Sequence, residues 1–184
     1  MNLGDRIAVM SDIHGEHRLL ARVLRHCEQA GVQSIVLLGD LFDRLDQAEM
    51  CAFHLADWNV AGVVGNHERE AVAERRDSGR PVNGSVGRLL ERLGDSLVLE
   101  EAVFVHDEMD AFTVEPGQYR HSVIFAGHTH YRLARDDRGP LDISLGHIGL
   151  KPGRRYLINP GSVLDGQFAI WERDRSRVTF ERVT

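Results

Sequence analysis

The stretch IAVMSDIH, Ile7–His14, runs four apolar residues into an aspartate and a histidine placed two positions apart. A short apolar run closed by polar turn residues reads as a buried strand feeding a loop. The same grammar recurs along the chain. SIVLL precedes the GDLFDR block at Gly39–Arg44, VAGVV precedes GNHE at Gly65–Glu68, and VIFA precedes GHTH at Gly127–His130. Four strand ends thus carry carboxylate, imidazole and amide side chains, and in open α/β sheets ligands gather beyond such ends.

Working outward, Ile7–Met10, Ser34–Leu38 and Val60–Val64 read as strands separated by helices. Glu16–Ala30 has Leu19, Leu20, Val23, Leu24 and Cys27 at helical spacing and is closed by Gly31; Gln47–Trp58 offers Met50, Phe53, Leu55 and Trp58 as an apolar face. This βαβαβ order predicts a parallel sheet with right-handed crossovers. Arg69–Asn83 is polar and reads as a helix that dissolves at Ser78-Gly79 into an exposed loop near the strand ends.

A helix over Val86–Leu93 then gives way to dense strand signals. These are Ser96–Leu99, Ala102–Val105, Val123–Ala126, Arg132–Arg135, Asp142–His147, Arg155–Ile158, Phe168–Trp171 and Val178–Val183. With few helices between them, most are expected to form antiparallel hairpins, ERDRSR being a charged hairpin turn. The expected architecture is a helix-flanked pair of packed sheets, the parallel half in one and part of the β-rich half in the other.

A chain of 184 residues, 42% hydrophobic and 27% charged, is large enough for a substantial core and is read as one domain, 1–184. Its formal net charge of -6 argues against general polyanion binding, which depends on Lys and Arg neutralising phosphates, so no stable nucleic-acid binding is expected. A small phosphate-bearing substrate is still compatible, because bound divalent ions would dominate the local field. Cys27 and Cys51 fall inside helical stretches without metal or redox spacing. Together with the lack of a membrane-length apolar run and of a hydrophobic leader after Met1, they point to a reduced cytoplasmic protein not associated with membranes.

The blocks carry a definite chemistry. Asp12 and His14, two apart at a strand end, can face one ion; Asp40 has two oxygens with which to bridge two cations; Asn66 offers a neutral amide oxygen. His106 follows the strand AVFV, and His128 with His130 repeats the two-apart spacing. Oxygen and nitrogen ligands without thiolate suit manganese, with iron, zinc or nickel as alternatives. Two such ions roughly 3.5–4 Å apart clamp a phosphate and lower the pKa of a bridging water to give a hydroxide nucleophile. His17, His26, His54, His121 and His147 lie outside this pattern.

Over residues 12 to 130, continued by INPGSV at Ile158–Val163, the sequence resembles the calcineurin-like metallophosphoesterase superfamily, in particular its small single-domain bacterial and archaeal branch. The resemblance implies a four-layer αββα sandwich of two mixed β-sheets flanked by helices, with a binuclear metal centre. It also implies ligands: Asp12, His14, Asp40 and His130 for one ion, and Asp40, Asn66, His106 and His128 for the other. By the same resemblance His67 is the proton donor to the leaving oxygen, Asp43 orients it, and Arg44 contacts a phosphoryl oxygen. The family usually has glycine after the histidine at His106, whereas Asp107, Glu108 and then Asp110 follow here; these acids either orient ligands or form a solvated loop. Glu68 is read as anchoring a helix start.

Two classes of function follow. The first is a metal-dependent phosphodiesterase or phosphomonoesterase acting on a small nucleotide-like substrate. GNHE with GDxxDR also resembles the branch containing protein phosphatases and dinucleoside polyphosphate hydrolases, whose chains are longer. The second class is a non-catalytic protein-binding scaffold of the same fold. Retention of His67 beside every proposed ligand favours the enzyme.

Overall fold

The computed structural model describes residues 2–79, 81–109 and 121–184. The first half follows the predicted alternation. Strands β1 (Arg6–Met10), β2 (Ser34–Leu37) and β3 (Val60–Val63) are separated by helices α1 (His17–Gln29) and α2 (Leu45–Leu55). Helix α1 turns Leu20, Val23, Leu24 and Cys27 inward at i, i+3, i+4 and i+7. Helix α2 differs from expectation in its face: Ala48, Cys51, Ala52 and Leu55 are buried, while Met50 and Phe53 are 44% and 67% exposed. Small residues at helical spacing let α2 sit close to α1 and α4, and the larger Met50 and Phe53 turn to the opposite side.

After β3 comes α3 (Asn66–Asp77), so Asn66 and His67 occupy the first turn of a helix rather than a loop. It ends at Ser78, where the composition indicated; Arg80, within the expected loop, lies outside the described residues. Helix α4 covers Gly84–Leu90, shorter than expected, because Leu93 joins the two-residue strand β4 (Leu93–Gly94) beside β3.

The second half supplies β5 (Leu97–Val98), β6 (Ala102–Val105), β7 (Val123–Ala126), β8 (Leu133–Asp136) and β9 (Gly139–Pro140). These are followed by β10 (His147–Gly149), β11 (Tyr156–Asn159), β12 (Gln167–Glu172) and β13 (Arg177–Arg182). The strand expected at Asp142–His147 is instead largely a turn. Asp142 Oδ1 accepts from Ser144 N at 2.8 Å, and Gly146 takes a left-handed φ of 74°.

Two mixed sheets result, in strand orders β10-β13-β12-β1-β2-β3-β4 and β5-β6-β7-β11-β8-β9. Most pairs in the β-rich half are antiparallel, as expected, including the β12–β13 hairpin closed by the charged turn. The strands β6, β7 and β11 are different: they pair in parallel, joined by connections long enough for crossovers. Ile7, Val9, Val36, Phe104, Phe125, Ile158 and Trp171 fill the space between the sheets. Helices α1 to α4 pack against the opposite face of the first sheet through Leu20, Leu24, Cys51, Leu55, Ala71 and Leu89. Val103, Val105 and Ala126 form a smaller cluster on the outer face of the second sheet. Among the described residues, no helix is long and apolar enough to cross a membrane.

Candidate metal centre

The two sheets present their parallel strands to one shared edge. Asp12 follows β1, Asp40 follows β2 and Asn66 follows β3 in the first sheet; His106 follows β6 and His128 with His130 follow β7 in the second. Four of these residues, Asp12, Asp40, His128 and His130, together with His14, have φ between 47° and 65°. Asp and His enter this left-handed region more readily than most side chains, yet it remains sparsely populated. Ser176 in a distant hairpin is the one other non-glycine residue with positive φ among the described residues, so backbone strain is concentrated at this edge.

Close packing explains the glycines in two of the blocks. A Cβ at Gly65 would run into Asp40 Oδ1, and one at Gly127 into Ser11 Oγ. Neither loop could approach its neighbour with a side chain there.

The aspartate and histidine candidates fall into two groups, Asp12 with His14 and His130 and Asp40 with His106 and His128, within each of which the donor atoms lie within 4.8 Å of one another. In the first, His14 Nε2 stands 3.2 Å from His130 Nε2, which is 3.4 Å from Asp12 Oδ1. In the second, His106 Nε2 is 3.0 Å from Asn66 Oδ1, 3.2 Å from His128 Nδ1 and 3.3 Å from Asp40 Oδ2. His106 Nδ1 lies 2.6 Å from the Leu38 carbonyl, to which it donates in the neutral ring. That leaves Nε2 with a bare lone pair aimed at the group.

Asp12 tests whether these residues fit a cation. Both of its carboxylate oxygens are buried without a hydrogen-bond partner, a costly arrangement that a divalent ion would relieve. Several lone-pair-bearing atoms therefore converge with too few protons between them. Oxygen and nitrogen donors of this kind fit a divalent metal of the manganese, iron, zinc or nickel type.

The charges are shaped by the same burial. Burial holds the Asp12 carboxyl above its usual pKa against the neighbouring Ser11 hydroxyl and the attraction of His130 and His106. At Asp40 burial also opposes ionisation, but His106 and the His67 N–H prevail and hold the carboxyl below the usual value. Burial disfavours a charged His106, yet Asp40 outweighs it and raises the imidazole. The thiols of Cys27 and Cys51 are pushed by burial up to about 12, which keeps them out of nucleophilic chemistry.

Three supports were not visible in the sequence as such. Glu68, fully buried, accepts from Asp40 N at 2.8 Å, Gly65 N at 2.7 Å, Leu41 N at 2.6 Å and Phe42 N at 3.3 Å. It does anchor the start of α3, and it also locks the GDLFDR loop to the GNHE loop. Asn159 Nδ2 donates to Gly127 O at 2.7 Å and Thr129 Oγ1 at 3.1 Å, fixing the turn that bears His128 and His130. Ser162 Oγ donates to Asp12 O at 2.8 Å. The INPGSV segment thus reaches loops of both sheets that carry candidate ligands.

A third constellation adjoins the first group. Asp43 Oδ1 lies 2.5 Å from His14 Nδ1 and 3.4 Å from His67 Nδ1, and the His14 and His67 rings meet edge to face at 5.0 Å. Arg44 stands apart from these groups. Its guanidinium, 76% exposed, pairs with Asp46 at 3.2 Å at the start of α2. Asp107 Oδ2 is 3.8 Å from His128 Nε2, beyond hydrogen-bond length, and Asp107 Oδ1 accepts from Met109 N. Asp110 lies outside the described residues. Of the remaining histidines, His17 stacks on His54 at 5.9 Å and His26 pairs with Glu181 at 3.4 Å.

Comparison with known proteins agrees with the fold. The chain is 27% identical to an uncharacterized protein, MJ0912, of Methanocaldococcus jannaschii, over 85% of this chain and 75% of the relative. A metallophosphoesterase structure from Sphaerobacter thermophilus is similar with a TM-score of 0.76 and 25% identity, over 97% of this chain and 88% of the other. The fold is shared with an archaeal phosphodiesterase at a TM-score of 0.63 and 18% identity, over 97% of this chain and 99% of that one. Residues 6–173 match the calcineurin-like phosphoesterase superfamily domain, and the chain belongs to that superfamily.

Proposed function

We propose that the chain is a hydrolase with a binuclear metal centre that cleaves a phosphodiester or phosphomonoester of a small nucleotide-like substrate in the cytoplasm. The observation that carries the reading is the convergence of bare nitrogen and carboxylate donors from both sheets around the unpartnered oxygens of Asp12.

Asp12, His14 and His130 would hold one ion, and Asn66, His106 and His128 the other. Asp40 would serve both. Its carbonyl accepts from Ile13 N at 2.7 Å and His14 N at 2.9 Å, which ties its loop to the first group while its carboxylate faces the second. Manganese is the first choice of metal. When bound, two such ions supply Lewis acidity and a water-derived nucleophile of lowered pKa.

The protein's own proton chemistry rests on Asp43. By accepting from His14 Nδ1 it leaves His14 Nε2 for ligation. Its position beside His67 Nδ1 orients that ring so that Nε2 can deliver a proton to the leaving oxygen. Grouped with His14 and His67, Asp43 could also be read as a ligand. The short His14–Asp43 contact favours positioning instead, because it uses the His14 nitrogen that faces away from Asp12 and His130.

The test is a screen of metal-free protein reloaded separately with Mn²⁺, Ni²⁺, Zn²⁺ or Mg²⁺ against monoesters, diesters, cyclic nucleotides and dinucleoside polyphosphates. Metal-restored turnover of at least one ester class is expected. No turnover with any reloaded metal, at full metal occupancy, would contradict the reading.

A further inference from the structure

A cavity of about 550 Å³ opens beside the centre, lined by Asp43, Arg44, Asp46, Glu74, Arg75 and Ser78 among others. Its volume is within the range of small-molecule sites. It shares Asp43 with the His14 and His67 constellation, whereas the cavity of about 620 Å³ along Val72, Arg76 and Leu90 touches none of the candidate site residues.

The walls of the smaller cavity follow one face of α3. His67, Ala71, Glu74, Arg75 and Ser78 recur at helical spacing, so the stripe leads from the proposed proton donor directly along the cavity. At the helical rise Arg75 stands about 12 Å along the axis from His67. Side chains on a helix lean toward its N-terminus, which in this helix is the end that carries His67.

The charges in this wall are unequally engaged. Asp43 is taken by His14 and His67, and Asp46 by Arg44. Arg75 is exposed and makes no ion pair with another described residue. Glu74 beside it is likewise exposed. The cavity therefore offers a guanidinium without an ion-pair partner among the described residues.

We infer that this cavity is a leaving-group subsite in which Arg75 binds a second anionic group of the substrate, a phosphate or similar oxyanion separated from the scissile ester by a spacer such as a ribose. This rests on the phosphoesterase reading and narrows its substrate class to bis-anionic esters. A guanidinium suits that role because its planar fork matches phosphate oxygens. Glu74 opposes the anion and tunes the selectivity of the subsite.

The test is calorimetric titration of the manganese-loaded full chain with adenosine 5′-monophosphate and with adenosine 3′,5′-bisphosphate. The bisphosphate is expected to bind about tenfold more tightly, the equivalent of one well-made charge-assisted contact. Arg75→Gln is expected to erase that ratio, and Glu74→Gln to widen it. Equal affinities in the wild type, or a ratio unchanged in Arg75→Gln, would overturn the subsite. Metal content and turnover of the same samples report separately on the phosphoesterase reading, since the ratio is a binding measurement that does not depend on turnover.

Discussion

The ligand cluster and the cavity beside it are built in opposite ways. In the cluster, position is set by backbone: left-handed φ values at Asp12, His14, Asp40, His128 and His130, glycines where loops touch, and four main-chain N–H groups gathered by Glu68. Along the cavity, position is set by long exposed side chains on ordinary helices, with Arg44 held by a surface pair and Arg75 free of one among the described residues. Exposed pairs of this sort contribute only about 0–1 kcal/mol. The placement of the convergent side chains is thus fixed by the fold, whereas the cavity wall is made of residues that can change without disturbing it.

The sharpest way to break this contrast is at His67, which sits at the boundary. His67→Ala is expected to retain metal, since the ring is no proposed ligand, while slowing turnover by about 10²–10⁴. An activated nitrophenyl ester should lose less than an alkyl or ribosyl ester, because its leaving group needs little protonation. Parallel kinetics on both substrates check this. Equal losses at full metal content would assign His67 to phosphate positioning, and loss of an ion would make it a ligand.

Glu68→Ala tests the backbone side. Leaving its main-chain donors without their acceptor is expected to cost about 1–3 kcal/mol or more, visible as a lower thermal midpoint together with weakened metal retention. An unchanged midpoint would mean that the two loops hold their positions without it. Asp43→Asn is expected to act more gently, reducing turnover or metal affinity by roughly 10–100-fold as for other residues that orient ligands. Titrating metal back into the variant separates the two effects.

The smallest effect is expected at Arg44. Because its guanidinium is exposed and paired only to Asp46, Arg44→Ala should alter stability by no more than about 0.5 kcal/mol. If Arg44 swings to a phosphoryl oxygen, KM rises while the thermal midpoint stays in place; substrate titration of the variant decides this.

Most of the residues that converge at the shared edge were legible in the sequence because each follows an apolar strand, and strand ends are the strongest local signal in this chain. The ends of β1, β2, β3, β6 and β7 could therefore be located, and the two-sheet class followed. What was hidden depends on tertiary contact. The parallel run of β6, β7 and β11 is set by where long connections return, which hydrophobic pattern does not encode. The buried face of α2 was misread because Met50 and Phe53 are more apolar than Ala48 and Ala52, although the small pair makes the closer contact. Glu68 could be placed at a helix start, but its hold on the Asp40 loop joins residues 28 positions apart. Asn159 and Ser162 belong to the segment that carries the family resemblance, but nothing local indicates which loops they bind.

The central claim is a two-ion centre sharing Asp40. Elemental analysis of the wild type and Asp40→Asn after manganese loading and dialysis tests it most directly. Two ions per chain in the wild type and impaired retention of both in the variant are expected. No more than one ion in the wild type, or two firmly retained in Asp40→Asn, would contradict it.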